Sequence, residues 1–200
     1  MGRWTTVVAL MVGCLFASPP ANAAGTHMIF EGGGGYGLTD LQASGPYWDI
    51  AWAYGGKFKG FPLRFYFVVD YTGAAITGEG AGYLHKVKEH ALLAGPRIYL
   101  PVARNMRIFG QALLGGFWSE GDWTIHDVER YRPRDEGAAA KFSVGFQARL
   151  SQHFSLGVLY DRVIFWEKAN DLSVSRFVGL PGAADTGNQN RFGGTVTIHF

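Results

Sequence analysis

Phe192-Gly193-Gly194-Thr195-Val196-Thr197-Ile198-His199-Phe200 are the last residues of the chain. Successive side chains of a strand point to opposite faces. Phe192, Val196, Ile198 and Phe200 therefore share one face, with Gly194 between them. Thr195, Thr197 and His199 occupy the other. Terminal residues fray unless they are tied into a sheet, so a strand that ends on an aromatic predicts a terminus with a structural use.

Working back from this end, the same period-2 pattern recurs about every twenty residues. We read eight strands, over 27–37, 46–56, 61–72, 88–100, 105–118, 139–150, 153–166 and 189–200. Each is near the length a tilted strand needs to cross a bilayer, roughly 9–11 residues. The sixth is the clearest: Phe142, Val144, Phe146, Ala148 and Leu150 alternate with Lys141, Ser143, Gly145, Gln147 and Arg149. The third sets Phe61, Leu63, Phe65, Phe67, Val69 and Tyr71 against Arg64, Tyr66 and Asp70. The second sets Trp48, Ile50, Trp52 and Tyr54 against Asp49, Ala51 and Ala53. In the first, Gly32 to Gly35 blur the alternation, as glycine does in a strand.

The connections also alternate. Those at 57–60, 101–104 and 151–152 are short, whereas those at 73–87, 119–138 and 167–188 are long and that at 38–45 is modest. Short turns at one end and long loops at the other are the layout of a transmembrane barrel. The fold class predicted is therefore all-β, an eight-stranded antiparallel up-and-down transmembrane β-barrel.

Composition agrees. Charged residues are 17% of the chain, aromatics are 15%, and 29 residues are glycine, against roughly 25% charged residues in soluble domains. Residues 1–24 read as a secretory signal. Arg3 supplies the charge, Thr5 to Ala17 the apolar run, and Ala21-Asn22-Ala23 the small residues for cleavage. The run is too short for a membrane helix. Met11-Val12-Gly13-Cys14 is a weak lipoprotein box, and Cys14 is the only cysteine, so the barrel at 25–200 is expected to hold no disulfide. Without Arg3, the 18 basic residues become 17, against 16 acidic ones. No basic patch calls for nucleic acid.

Alternation does not say which face is wet. A soluble lipocalin-like barrel would hold the apolar face inside. Three features favour lipid outside. Aromatics gather near the strand ends, with Tyr54, Phe61, Tyr99, Phe154 and Phe200 at one rim and Tyr36, Trp48, Tyr71, Trp118 and Trp166 at the other, as in interfacial girdles. The polar face is rich in small residues, including Gly33, Gly145, Gly157 and Gly193. It also carries balanced charges: Glu31, Asp49, Asp70, Glu89 and Asp161 against Arg64, Arg97, Arg107, Lys141, Arg149 and Arg191. Buried charges persist only when paired, so the expected lumen is a plug of ion pairs.

His90-Ala91-Leu92-Leu93-Ala94-Gly95-Pro96-Arg97-Ile98-Tyr99-Leu100, a short turn, and Met106 to Gly116 resemble the central hairpin of the small outer-membrane β-barrel family that includes the OmpA transmembrane domain. The entry Gln189-Asn190-Arg191-Phe192 and the terminal Phe200 are similar too. The resemblance spans 27–200, without the periplasmic domain of OmpA-type proteins. It implies location in the bacterial outer membrane and contact with its lipids and lipopolysaccharide. It also implies handling by the barrel-assembly machinery through Phe192, Val196, Ile198 and Phe200.

Chemistry candidates are few. His153-Phe154-Ser155 resembles the His-x-Ser element of lipid A deacylase barrels, but it lies beside a short turn, and a nucleophile acting on lipid A belongs near the outer leaflet. His85, His90 and His126 have no ligand spacing, so no metal and no cofactor is expected. Asp122, His126, Asp127 and Glu129 read as a solvated loop. The expected function is non-enzymatic: membrane support, or loop-mediated binding through residues such as Trp118, Trp123, Tyr131, Arg130, Arg132 and Arg134. A lipid A-modifying enzyme and a narrow gated channel are the alternatives.

Overall fold

The computed structural model describes residues 26–39, 43–57, 60–80, 83–125, 129–131, 134–167 and 188–200. The signal segment at 1–24 lies outside them. The strands are β1 (Thr26–Thr39), β2 (Ser44–Lys57), β3 (Arg64–Gly80), β4 (Tyr83–Ala103), β5 (Met106–Ile125), β6 (Glu129–Tyr131), β7 (Arg134–Arg149), β8 (Phe154–Glu167) and β9 (Gln189–His199). All pairings are antiparallel, in the order β4-β3-β2-β1-β9-β8-β7-β5-β6, and β4 also pairs with β5. That last pairing closes the sheet, so no long edge is left open. β6 is a three-residue piece that pairs with β5 beyond β7. Eight long strands therefore form the wall, as predicted.

The first and last strands seal the barrel. Ile29 to Thr39 of β1 pair in register with His199 to Gln189 of β9, and the Phe200 amide donates to the Met28 carbonyl at 3.0 Å. A slip of one residue would exchange the two faces, and the faces are sharply different. Phe30, Ile50, Trp52, Phe67, Ile98, Ile108, Leu114, Phe142, Val144, Val158, Phe192, Val196 and Ile198 are exposed on the outside. Glu31, Asp49, Asp70, Glu89, Arg97, Lys141, Asp161 and Arg191 are buried inside. Water-soluble monomers rarely expose apolar patches beyond a few hundred Å². An apolar belt around a charged interior excludes the lipocalin-like arrangement and makes this a transmembrane barrel.

The lumen also has an apolar component that alternation alone did not specify. Ile29, Val68, Leu93, Tyr99, Phe109, Leu113 and Phe117 form a buried cluster among the polar groups. Glycines opposite them create the room. A Cβ on Gly145 would lie 2.3 Å from Phe109 Cε1, and one on Gly193 would lie 2.3 Å from the Tyr47 hydroxyl. Gly145→Val is therefore expected to destabilise the barrel by about 1–3 kcal/mol through overpacking, despite valine's preference for strands. Urea unfolding in lipid vesicles checks this: an unchanged midpoint would mean that Phe109 moves aside freely.

Two expected loops need correction. The segment predicted as a 73–87 loop is mostly strand, since β3 and β4 pair out to Gly80 and Tyr83. The 119–138 segment is likewise strand over much of its length. Ala74, Ile76 and Val87 face inward and are buried, and Ala74 and Ile76 pack on Tyr47 and Ala43. That packing carries the pairing onward where Gly73, Gly78 and Lys86 had hidden the alternation. Strands of 17 and 21 residues exceed the roughly 9–11 needed for a bilayer, so these ribbons rise beyond it at the long-loop end. At the other end Phe61, expected to begin the third strand, lies in the turn after Gly60. Gly60 has φ 88°, a conformation glycine adopts freely.

Candidate functional site

The lumen side chains fall into three tiers. Nearest the short-turn end, Arg97 makes a bidentate pair with Glu31, Nη2 to Oε1 at 2.9 Å and Nη1 to Oε2 at 3.2 Å. Its Nε donates to Gln111 Oε1 at 2.7 Å and its Nη1 to the Tyr99 hydroxyl at 3.0 Å. Gln147 Nε2 and the Thr197 hydroxyl also donate to Glu31 Oε2, at 2.7 and 2.9 Å. The guanidinium lies 4.8 Å from the Phe109 ring centroid. A planar fork with five donors suits such a site better than lysine would.

In the middle tier Lys141 reaches three carboxylates. Its Nζ lies 2.8 Å from Asp49 Oδ1, 2.9 Å from Asp70 Oδ2 and 3.4 Å from Asp161 Oδ2. Two of the ammonium's three donors are spent on Asp49 and Asp70, and Asp161 is held as an ion pair; the three carboxylates come from three different strands. In the third tier, toward the long loops, Arg191 donates to Gln189 Oε1 at 2.9 Å and Thr72 Oγ1 at 2.7 Å. It lies 4.0 Å from Glu89 and 5.3 Å from the Tyr47 ring centroid. Gln189 in turn donates to Glu89.

The structure places the predicted lumen residues in two groups. Glu31, Asp49, Asp70, Arg97, Lys141, Asp161 and Arg191 come together in these tiers. Arg64, Arg107 and Arg149 do not, and none of the ion pairs among the described residues involves them. Arg107 is half-buried, donates to Gln147 Oε1 and His199 Nε2, and lies over the Tyr99 ring. Arg149 is exposed and donates to the Ser151 and Gln152 carbonyls. They stand at the ends of their strands, where the lumen opens.

Tyr99, expected in an outer girdle, is buried in the lumen instead. It is two residues from Arg97 and must share its face. Gln147, Thr197 and His199, read on the polar faces of their strands, were not named as lumen partners, and Gln111 was not assigned a face. Each lies an even number of residues from a polar-face residue of its own strand, which is the signal that could have found them.

The four residues of the C-terminal face, Phe192, Val196, Ile198 and Phe200, are exposed on the outer wall, Phe200 by 63%. Trp118 is exposed there too and stacks with His90 and Tyr71. Arg134 pairs with Glu120 at 3.1 Å on the surface, where such a pair contributes little. The side chains of His85, Trp123, His126, Asp127, Glu129, Arg130, Tyr131 and Arg132 lie outside the described residues, as do residues 168–187.

His153 and Ser155 each bond to His199 and not to one another. Ser155 Oγ lies 2.9 Å from His199 Nε2, while His153 Nδ1 donates to the His199 carbonyl at 3.0 Å. The Arg107 guanidinium can only donate, so Nε2 of His199 is an acceptor, and its single lone pair is shared between Arg107 and the Ser155 hydroxyl. A hydroxyl with a basic nitrogen in reach is half of a nucleophile. Yet Ser155 is 0% exposed, and no substrate carbonyl could reach it there. No cluster of three or more His, Cys, Asp or Glu among the described residues could hold a metal ion.

Solved structures share this architecture. The attachment invasion locus protein Ail of Yersinia pestis matches over 88% of this chain and 99% of its own, at 12% identity and a TM-score of 0.52. Neisserial surface protein A matches over 88% and 98%, at 11% identity and 0.53. A major outer membrane protein of Thermus thermophilus matches over 88% and 99%, at 11% identity and 0.58. The chain has the fold of the small bacterial outer-membrane barrels. At these identities the likeness speaks for fold alone. No protein-family model matches the chain, and no curated protein sequence matches it. The small-barrel fold puts the short turns and both ends of the described barrel on the periplasmic side and the long ribbons outside.

Proposed function

We propose that this protein is a closed, non-enzymatic outer-membrane barrel that supports the membrane and presents its long-loop end for binding. The observation that carries the proposal is the set of buried ion pairs in the lumen, with Arg97 on Glu31 and Lys141 among Asp49, Asp70 and Asp161 at 2.8–3.4 Å. An eight-stranded barrel is just wide enough for side chains to fill it. Each of these buried carboxylates lies within ion-pair distance of a fixed cation, which favours a plug over a channel. The outer wall supports contact with lipids and lipopolysaccharide through its aromatic belt. Strands that continue past the bilayer support a role for the outer end, since recognition residues sit best on rigid scaffolds.

The enzymatic alternative is tested by mass spectrometry of lipid A from cells with and without the protein. Identical lipid A is the expected result. Loss of an acyl chain in the presence of the protein would overturn the non-enzymatic reading and return attention to Ser155 and His199.

A further inference from the structure

The side chains of the periplasmic mouth of the barrel are one-sided in charge. Two cavities of about 130 and 290 Å³ open there. They share Arg64 and Arg149 in their walls, and Lys57, Arg104 and Arg107 line the smaller. His27, His153, His199 and Phe200 line the larger; neither wall contains an aspartate or glutamate, and the Phe200 carboxylate is the one anionic group of the larger wall. The lumen acid nearest this end is Glu31, already engaged by Arg97, Gln147 and Thr197. The higher carboxylates around Lys141 and Arg191 belong to the other tiers.

Five cationic side chains around one opening repel each other unless an anion joins them. Their donors are also only partly used. Arg107 spends Nε on Gln147 and Nη2 on His199, and its stack on Tyr99, 4.2 Å to the centroid, fixes the plane of the guanidinium. Its Nη1 has no partner among the described residues. Arg64 likewise has none, although it lines both cavities and is half-buried. The cavities are large enough for more than a water molecule. A planar guanidinium fork matches an oxyanion bidentately.

We infer that the periplasmic mouth is a binding site for a phosphate group, held by Arg64, Arg107 and Arg149 with Lys57 and Arg104 at the rim. The phosphate comes from one of two sources with the same chemistry: a small phosphate ester in the periplasm, or the headgroup of an anionic phospholipid in the inner leaflet. The site is separate from the plug above it, and it is filled without opening the lumen.

The test is an NMR titration that follows the arginine side-chain N–H signals of the full barrel. The first arm adds glycerol 3-phosphate to protein in zwitterionic detergent, with sodium chloride at equal ionic strength as control. The second compares nanodiscs of phosphatidylcholine with nanodiscs containing phosphatidylglycerol. Saturable shifts absent from the chloride control, at least tenfold weaker in Arg64→Gln/Arg149→Gln, are expected. Saturation in the first arm identifies a soluble ester, and saturation only in the second identifies the headgroup. Heat-modifiable migration on gels reports whether the variant has folded. If it has not, the exposed rim variant Arg104→Gln takes its place, with a weakening of at least twofold expected. No saturation in either arm, or identical titration of the wild type and a folded variant, would overturn the inference.

Discussion

Lys141→Met is expected to lower the unfolding free energy of the barrel by about 3–5 kcal/mol, the range for removing one partner of a buried ion pair. Methionine keeps most of the stem volume of lysine, so the loss reports on charge more than on packing. The ammonium is the shared partner of Asp49, Asp70 and Asp161, all buried. Removing it leaves three carboxylates facing one another in a low-dielectric lumen, where like charges disfavour ionisation. The effect should be partly reversed in Lys141→Met/Asp49→Asn/Asp70→Asn, which removes two of those charges. Urea unfolding and refolding in lipid vesicles measures both. Equal stability of K141M and wild type would mean that the three carboxylates are held by something other than Lys141.

Arg97→Met carries the second large effect, again about 3–5 kcal/mol. Arg97 is held by the Glu31 carboxylate, Gln111 and the Tyr99 hydroxyl. Its loss strands Glu31, whose remaining donors are Gln147 and Thr197. Glu31→Gln alone should also destabilise, by leaving a buried guanidinium without its counter-charge. The double variant Glu31→Gln/Arg97→Met should lose clearly less than the sum of the two single changes, because residues in direct contact are not additive. Additive losses in this cycle would show that the pair does not act as a unit. The two sites differ in kind: Arg97 is a bidentate fork on one acid, whereas Lys141 is one point charge shared by three.

The wall of this barrel was legible in the sequence because a period of two is a strong signal when one side meets lipid. Phe142, Val144 and Phe146 against Lys141, Ser143 and Gly145 leave little choice of face. The strand extensions were not legible. Gly73, Gly78 and Lys86 break the apolar alternation there, and the pairing is carried by Ala74, Ile76 and Val87 turned into the lumen. Which charges belong to the lumen could be read from parity, but which charge meets which could not. Glu31 and Arg97 are 66 residues apart, Asp49 and Lys141 are 92 apart, and only the closure of the barrel brings them together. Strand ends misled in the same way. Arg64, Arg107 and Arg149 have lumen parity, yet they lie where the lumen widens into the periplasmic mouth. Tyr99 shows the reverse error: a position near a strand end was weighed above its parity with Arg97. Absence of acidic side chains from the whole short-turn end was readable from the sequence, but it gains meaning only once Lys57, Arg64, Arg104, Arg107 and Arg149 are seen around common cavities.

The central claim is that the lumen is closed by its own side chains, and conductance measures that directly. Purified full-length barrel inserted in planar lipid bilayers should give no steady single-channel current at moderate voltage. Insertion is verified by heat-modifiable migration of protein recovered from the same preparation. Steady, reproducible current steps from the wild-type protein would contradict the plug and make the tiers of Arg97, Lys141 and Arg191 a gate.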